Sequence, residues 1–427
     1  IMGQSLGDGF NVKDIWEKAR RNWGQLFAVT LIPMAIVIGI SLVLSIVVFS
    51  IMFLCIMGAA PTIAAIGGAA DPSFAQIMSL IAALAGPMIF CTLILYVVLS
   101  VAETFAEAVA IRGAAHARRN KGNHIITTQI EHHAVLHTLQ KLEKEDFTVE
   151  LLPVGPIGTV TAQQVKDAIR EDTCLVSVMY ANNEIGSILP VGEIGAVCRE
   201  AGVLFHTDAV QAAGHLPIDV KAQNIDLLSL SAHKFHGPKG TGVLYARQGV
   251  FLTNLIEGGA QERGKRAGTE NIPAIMGMAA ALEDACAYLD ENAKRVSALR
   301  DRLIDGLSKI PHSALNGDPV NRLPGNVSFC VEGVEGESLL LLLDAKGICA
   351  SSGSACTSGS LDPSHVLLAI GRPHDVAHGS LRLSLCKWNT DEEIDRILDA
   401  VPEVVEYLRG MSPLWKDLVS GKKPFTL

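Results

Sequence analysis

The sequence predicts an α/β protein with a mainly parallel sheet, preceded by a hydrophobic helical region in residues 1–103. Three observations carry this prediction. From His124 onward, short apolar runs alternate with amphipathic helical segments, which is typical of a parallel sheet covered by helices. Before that point, two long apolar runs carry almost no charge. Beyond about residue 285, long helices surround a few short strands, which predicts a second, smaller α+β domain.

The hydrophobic region predicts two membrane-spanning helices. Asp71 is the only charged residue within 22–102, and the apolar runs cover about 27–60 and 77–102. Each run exceeds the roughly 20 residues that cross a bilayer, so we expect a transmembrane hairpin. Basic residues flank both outer ends whereas the connection carries none, so we expect both ends, and with them the α/β part of the chain, in the cytoplasm. Buried helices of a soluble core are the alternative. A cleavable signal peptide fits poorly, because its apolar stretch is about 7 to 15 residues.

Composition excludes several classes of function. The chain has 427 residues, which is long enough for two or three domains without small-scaffold staples. Its nine cysteines are an odd number and include no CxxC pair, which argues against a disulfide framework and a zinc cluster. The net charge of -9 and the lack of a long basic run argue against a nucleic-acid partner.

Residues 104–285 are predicted to form the large domain. Its strands are expected at His124–Thr128, Phe147–Leu152, Cys174–Tyr180, Val203–Thr207 and Leu227–Ser231. Apolar positions at helical spacing predict one helix that buries Val135, Leu139 and Leu142, and another that buries Ile194, Val197, Cys198 and Ala201. Thr161 and Gln164 have the spacing of a capping box, and Gly202 has the position of a helix C-terminus.

Residues 286–427 are predicted to form the small domain. One helix carries Val296, Leu299, Leu303 and Leu307 on one face. A strand is expected at Asn326–Val331, and Thr390 with Glu393 forms a second capping box.

Polar residues follow three of the predicted strands of the large domain. Ligands of open α/β sheets bind outside the carboxyl ends of the strands, so these ends are candidate sites. Asp208 and Lys234 lie at two of them. An acid and a lysine are what pyridoxal phosphate requires, because the lysine holds the cofactor and the acid keeps its ring nitrogen protonated. An Asp and a Lys at strand ends are more often solvated or capping residues, so the pair needs further support.

Six motifs supply that support. In chain order they are Glu131–Val135, Asn182–Gly186, His206–Gln211, Ser231–Gly240, Gln261–Thr269 and Ser351–Thr357. In these stretches the chain resembles the cysteine desulfurases of the class V aminotransferase group, over about three quarters of its length. The resemblance implies the PLP-dependent transferase fold type I.

The resemblance also implies roles around the cofactor ring. Lys234 would hold pyridoxal phosphate and later move the substrate proton. Asp208 would pair with the pyridine nitrogen, and Gln211 and Asn183 would contact the oxygen side of the ring. His132 would stack on the ring and assist proton transfer.

Further residues would bind the phosphate and the substrate. Ser231 and His233 would bind the cofactor phosphate, and Thr269 would reach the phosphate of a neighbouring subunit, which implies a homodimer. Arg382 would clamp the carboxylate of L-cysteine as a bidentate fork, which lysine cannot reproduce. Cys356 would accept the sulfur as a persulfide, alanine would leave, and the sulfur would pass to an acceptor such as an iron-sulfur scaffold protein.

Cys356 lies in a run of Gly and Ser, which favours an accessible loop and therefore a reactive thiol. For other cysteines the expectation is a small buried side chain: Cys55, Cys91, Cys174, Cys198 and Cys286.

The family pattern begins near Val109–Gly113, and the two apolar runs stand where the family has its opening segment. That segment carries a Gly-Ala-Thr turn for the cofactor phosphate, and Ala260 stands at a position that is usually glycine. Two alternatives to a membrane-tethered desulfurase therefore stay open. One is an inactive membrane-anchored pseudoenzyme or fusion fragment, and the other is a selenocysteine lyase.

Overall fold

The computed structural model describes residues 106–353 and 363–427. The predicted spans at 27–60 and 77–102 lie outside the described residues, and so does Cys356.

The first sheet has six strands and is built by the chain between residues 106 and 287. Its helices and strands are α1 (106–117), β1 (His124–Thr128), α2 (His133–Glu143), β2 (Thr148–Leu152), α3 (Ala162–Ala168), β3 (Thr173–Ser177), α4 (Val191–Ala201), β4 (Leu204–Asp208), β5 (Leu227–Ser231), β6 (Gly242–Ala246), α5 (Gln261–Gly264) and α6 (Ile272–Ala287). The strand order is β2-β1-β3-β4-β5-β6.

Five strands of this sheet are parallel, and β6 runs antiparallel to β5. Every residue of β1, β3, β4 and β5 is buried, as expected for parallel strands covered on both faces. The edge strand β2 is mostly exposed or half-buried instead. The predicted bounds of the first and fifth strands are confirmed, and the other three shift by one to three residues.

The predicted helix signals of this part are also present. Thr161 and Gln164 form both bonds of the capping box. Helix α4 ends at Gly202, whose φ of 66° is a left-handed conformation that glycine adopts without strain. In that helix Val197 is half-buried and Ala201 is exposed, so the predicted buried face extends too far toward the C-terminus.

The second sheet has three antiparallel strands. The remaining elements are α7 (Leu289–Leu307), β7 (Ser313–Leu315), β8 (Asn326–Val331), α8 (Gly336–Ala345), α9 (His365–Ala369), α10 (His374–Ala377), β9 (Ser380–Ser384), α11 (Asp391–Met411) and α12 (Pro413–Val419). The strand order is β7-β8-β9. The predicted strand at β8 is confirmed, and so is the capping box of Thr390 and Glu393.

The first sheet packs against two apolar clusters, which take alternate residues of its strands, and the second sheet packs against a third. The predicted face of α7 packs on the second sheet, where Leu303 is fully buried. Helices α9 and α10 contribute Val366 and Val376 to the core of the first sheet. The division into 104–285 and 286–427 stays a prediction.

Of the five cysteines expected to be buried, Cys55 and Cys91 lie outside the described residues, two are buried and one is not. Cys174 and Cys198 are buried, whereas Cys286 is exposed. The expectation for Cys286 is wrong because α6 is apolar around most of its circumference yet buries only Met278 and Ala285.

Within the described ranges, no single helix is long and apolar enough to cross a membrane. Helices α6 and α7 reach that length and composition only as a pair, and they meet at a bend of 73°.

Candidate active site

The carboxyl ends of β4 and β5 place the predicted acid and lysine. Asp208 is the last residue of β4, and its side chain is 5% exposed. One carboxylate oxygen, Oδ1, accepts a hydrogen bond of 2.9 Å from the backbone N–H of Val210. Lys234 follows β5 in a short 3-10 turn, Ala232–Phe235. Both residues therefore lie where the chain leaves neighbouring strands, as expected from the sequence.

The turn after β5 also holds the two predicted phosphate ligands. Ser231 Oγ and His233 Nδ1 are 2.8 Å apart and hydrogen-bonded. The backbone carbonyl of Lys234 lies 3.0 Å from Nε2 of His215, which donates to it. Hydroxyl, imidazole and ammonium groups thus share one turn.

One cavity of about 350 Å³ brings five of the predicted residues together. They are Asn183, Gln211, His233, Lys234 and Arg382. Ser231 reaches this group through its bond to His233. Residues from the ends of the first sheet and a residue of the second sheet therefore face a common space.

The other predicted residues do not line this cavity. Asp208 is buried behind it at the end of β4. His132 is the N-cap of α2, where its Nδ1 accepts a bond of 3.2 Å from the N–H of Ala134. Thr269 is exposed, on the segment between α5 and α6. Cys356 is outside the described residues.

Arg382 lies at the middle of β9 and joins three segments. Its Nη1 donates to the carbonyl oxygen of Asn183 at 3.0 Å, and its Nη2 donates to Ser351 Oγ at 3.2 Å. The backbones of Ser351 and Arg382 also pair as an antiparallel bridge. The guanidinium is therefore held in orientation by neighbours before any substrate binds.

Two buried groups near Asp208 are uncharged at pH 7. Burial lowers the pKa of His206 to about 4, although the charge of Asp208 opposes this effect. The two ring nitrogens of His206 lie 2.9 Å from Ser177 Oγ and 2.9 Å from Ser229 Oγ. Burial raises the pKa of Glu131 to about 8. Neither group therefore changes the net charge around the Asp208 carboxylate at neutral pH.

Sequence reasoning missed several residues that line the cavity. They include His215, His236, Asp284, Cys386 and Lys387. The last two have a signal in the sequence, because they directly follow the strand that carries Arg382. His236 lies inside the Ser231–Gly240 motif, whereas His215 and Asp284 come from segments that carry no motif.

Among residues 106–353 and 363–427, no group of three or more His, Cys, Asp or Glu is arranged to hold a metal ion. The donor set of the cavity suits an organic anion instead, because it combines cationic side chains with hydroxyl and amide groups.

Comparisons with known proteins show the family of this chain. The profile of the family described as Aminotransferase class-V matches residues 97–397. Cysteine desulfurase IscS of Methanosarcina thermophila is 59% identical over 311 residues, covering 73% of this chain and 77% of that protein. Cysteine desulfurase IscS of Clostridium botulinum strain Hall is 57% identical over 321 residues, covering 74% of this chain and 81% of that protein.

Solved structures show the same fold. A NifS-like protein superposes with a TM-score of 0.67 at 38% identity, covering 72% of this chain and 81% of that chain. A structure described as SspA in complex with cysteine superposes with a TM-score of 0.59 at 35% identity, covering 68% of this chain and 81% of that chain.

The chain therefore belongs to the class-V aminotransferase family and has the α/β fold of PLP-dependent type I enzymes, with a mixed sheet. Within that family it is a cysteine desulfurase, an enzyme class that depends on pyridoxal phosphate.

Proposed function

We propose that this chain converts L-cysteine to L-alanine, receives the sulfur on Cys356 as a persulfide, and passes it to an acceptor such as an iron-sulfur scaffold protein. One observation carries the proposal. A single cavity is lined by the lysine, the arginine and the amide groups that the reaction requires, namely Asn183, Gln211, Lys234 and Arg382.

The residues of the site fit pyridoxal phosphate. Asp208 offers a buried carboxylate, which suits a protonated ring nitrogen. Ser231 and His233 are hydrogen-bonded to each other and offer a hydroxyl and an imidazole to the phosphate. Asn183 and Gln211 offer amides to the ring oxygen. When bound, pyridoxal phosphate supplies the electron sink for the amino-acid substrate.

The side chains of this chain would carry the remaining work. Arg382 binds the substrate carboxylate with its planar fork. Lys234 Nζ accepts the proton of the substrate α-carbon, and His132 assists that transfer. The Cys356 thiolate then attacks the substrate sulfur, so that a carbon-sulfur bond breaks and a sulfur-sulfur bond forms. The electron pair of the broken bond stays with the substrate carbon, which takes up a proton to become the methyl group of alanine. Alanine and the Cys356 persulfide together hold all atoms of L-cysteine and the Cys356 thiol, so no outside oxidant is needed.

A homodimer is part of the proposal, with Thr269 of one subunit reaching the cofactor phosphate of the other. The segment around Thr269 supports it, because that segment carries large apolar side chains that face solvent. Ile272 is 58% exposed and Met276 is 52% exposed, and the two lie about one turn apart in α6. Apolar side chains concentrated in this way are typical of an interface.

We further propose that residues 27–102 anchor the enzyme in a membrane as a two-span hairpin and that the catalytic part faces the cytoplasm. Run length and the distribution of basic residues support this arrangement. Partition of the full chain into the membrane fraction, resistant to alkaline extraction, is the expected result.

The reaction is tested with the purified full chain. We expect visible absorbance from lysine-bound cofactor and release of alanine from L-cysteine. Lys234→Ala should lose the absorbance, whereas Lys239→Ala, at an exposed lysine nearby, should keep it. Cys356→Ser should keep the absorbance but lose protein-bound persulfide, whereas Cys349→Ser, at an exposed cysteine, should keep both. Absence of both absorbance and alanine in the unmodified chain would refute the proposal in favour of a pseudoenzyme.

A further inference from the structure

Glu184 is a buried acid to which the proposed reaction assigns no role. Its side chain is 2% exposed, in the turn that follows Asn182, beyond the end of β3. That turn is rigid, because Asn182 Oδ1 accepts hydrogen bonds from the N–H groups of Glu184 at 2.8 Å and Ile185 at 3.0 Å. The backbone that carries the Glu184 carboxylate is therefore fixed in position.

The carboxylate holds the start of helix α9. Ser364 Oγ donates a hydrogen bond to Glu184 Oε2. The same hydroxyl accepts from the N–H groups of Val366 at 3.1 Å and Leu367 at 3.4 Å, so Ser364 is the N-cap of the helix. Because a hydroxyl that donates to a carboxylate is fixed in direction, Glu184 also orients this cap.

Gly353 packs against the same pair. A Cβ placed on Gly353 would lie 2.8 Å from the Cβ of Ser364 and 3.1 Å from Glu184 Oε2. The Gly353 N–H donates to Ser380 Oγ at 3.1 Å, which ties it to strand β9. Gly353 and Ser364 are thus in contact, and Cys356 lies between them in the sequence. The Glu184 carboxylate therefore bonds to Ser364 and leaves no room for a side chain at Gly353, and these two residues flank the cysteine segment.

The turn of Glu184 also contacts the arginine proposed for substrate binding. The carbonyl oxygen of Asn183, the preceding residue, accepts from Arg382 Nη1 at 3.0 Å. Burial raises the pKa of Glu184, while its bond to Ser364 and the charge of Arg382 counteract that rise. The backbone of this turn therefore bonds to Arg382, and the Glu184 side chain of the same turn bonds to Ser364 beside the cysteine segment.

We propose that Glu184 is a positioning residue for sulfur transfer, which fixes the two ends of the cysteine segment relative to Arg382. The inference rests on the proposed function, because it concerns the step that uses Cys356. Glu184 does not line the cavity, so its loss should leave cofactor and substrate binding in place.

The test compares Glu184→Ala, Glu184→Gln and Ser364→Ala in the cofactor-loaded full chain. Loss of a hydrogen bond to a carboxylate changes a rate about tenfold to a hundredfold when that bond acts in the step measured. We expect this drop in kcat for alanine formation in Glu184→Ala and Ser364→Ala, with the cofactor absorbance and the KM for cysteine unchanged. Glu184→Gln keeps an acceptor oxygen for the serine and should recover much of the rate. The double variant Glu184→Ala, Ser364→Ala should be no slower than either single variant.

Ser412→Ala is the matched control. Ser412 caps helix α12 through a bond from the Trp415 N–H and touches neither Glu184 nor the cavity. It should lose a cap of the same kind and keep the kcat of the unmodified chain. An unchanged kcat in Ser364→Ala would overturn the inference, as would a Glu184→Gln variant as slow as Glu184→Ala. So would a drop of equal size in Ser412→Ala.

Hydrogen exchange separates this inference from the reaction itself. In Glu184→Ala the amides of Val366 and Leu367 should exchange at least about tenfold faster, because the cap loses its orientation. Faster exchange in a chain that forms no alanine would refute the proposed reaction, but it would support the role of Glu184 in holding the start of helix α9. Unchanged exchange would overturn the positioning role of Glu184, whatever the activity of the variant.

Discussion

Replacing Arg382 by lysine tests the side of the cavity that we assign to the substrate carboxylate. The guanidinium already bonds to Asn183 O at 3.0 Å and to Ser351 Oγ at 3.2 Å. An ammonium lacks the planar fork, so it cannot keep both bonds and also bind a carboxylate bidentately. A hydrogen bond to a charged group contributes about 1.5 to 3 kcal/mol. The loss of one such bond should lower kcat/KM for L-cysteine about tenfold to a hundredfold.

The assay is alanine formation over a range of cysteine concentrations, with cofactor absorbance measured on the same samples. Arg372→Lys is the matched control. Arg372 also makes two bonds with its guanidinium, to Asn316 Oδ1 at 2.8 Å and to Leu315 O at 2.8 Å, but it does not line the cavity. Unchanged kcat/KM in Arg382→Lys, or an equal loss in both variants, would refute the reasoning.

Two further predictions concern stability and are measured by urea unfolding. In helix α4, a Cβ on Gly192 would meet only Gln223 Cγ at 3.7 Å, whereas a Cβ on Gly195 would lie 2.0 Å from Gln223 O. Gly192→Ala should therefore raise the free energy of unfolding by up to about 1 kcal/mol, and Gly195→Ala should lower it by about 1 to 3 kcal/mol; changes of the same sign would contradict the packing of α4. The folded-state pKa of Glu131 is about 8 against an ordinary 4.5, so the folded protein holds an extra proton between these values. The free energy of unfolding should therefore fall as pH rises through this window, by up to about 1.4 kcal/mol per pH unit. Glu131→Gln should remove this dependence of the free energy of unfolding on pH. The control Glu143→Gln, at an exposed glutamate, should keep it. Equal slopes in the two variants would show that a group other than Glu131 titrates.

Strands that are buried on both faces are the part of the fold that sequence patterns locate best. The bounds of β1, β5 and β8 match their predictions, because each contains a short apolar stretch that polar residues bound. The strand predicted at Cys174–Tyr180 ends at Ser177, but backbone bonds to β4 continue beyond it, because Val178 N donates to His206 O at 3.1 Å and Tyr180 N donates to Asp208 O at 2.8 Å. The apolar pattern therefore follows the buried, hydrogen-bonded stretch and does not mark where the regular strand stops.

Sequence motifs likewise reveal some residues of the candidate site and miss others. Asp208 and Lys234 are local features of strand ends, so a motif can reveal them. The contact between Glu184 and Ser364 joins residues that are 180 positions apart, and no local spacing encodes it. Cys386 lines the cavity because it follows β9, the strand that pairs with β8 and contains Arg382. Contacts that depend on how the two sheets meet cannot be predicted from one sequence.

The antiparallel strand β6 helps to fix the backbone of Lys234. Because β6 returns beside β5, with Ser231 opposite Gly242, the chain must reverse within ten residues. That reversal is closed by bonds from Ala232 N to Thr241 O at 3.0 Å and from Gly237 N to Ala232 O at 2.8 Å. The backbone of Lys234 is thereby fixed, and His215 holds its carbonyl from the other side. A lysine that must both hold a cofactor and move a proton can then do so by side-chain rotation alone, without reordering its backbone.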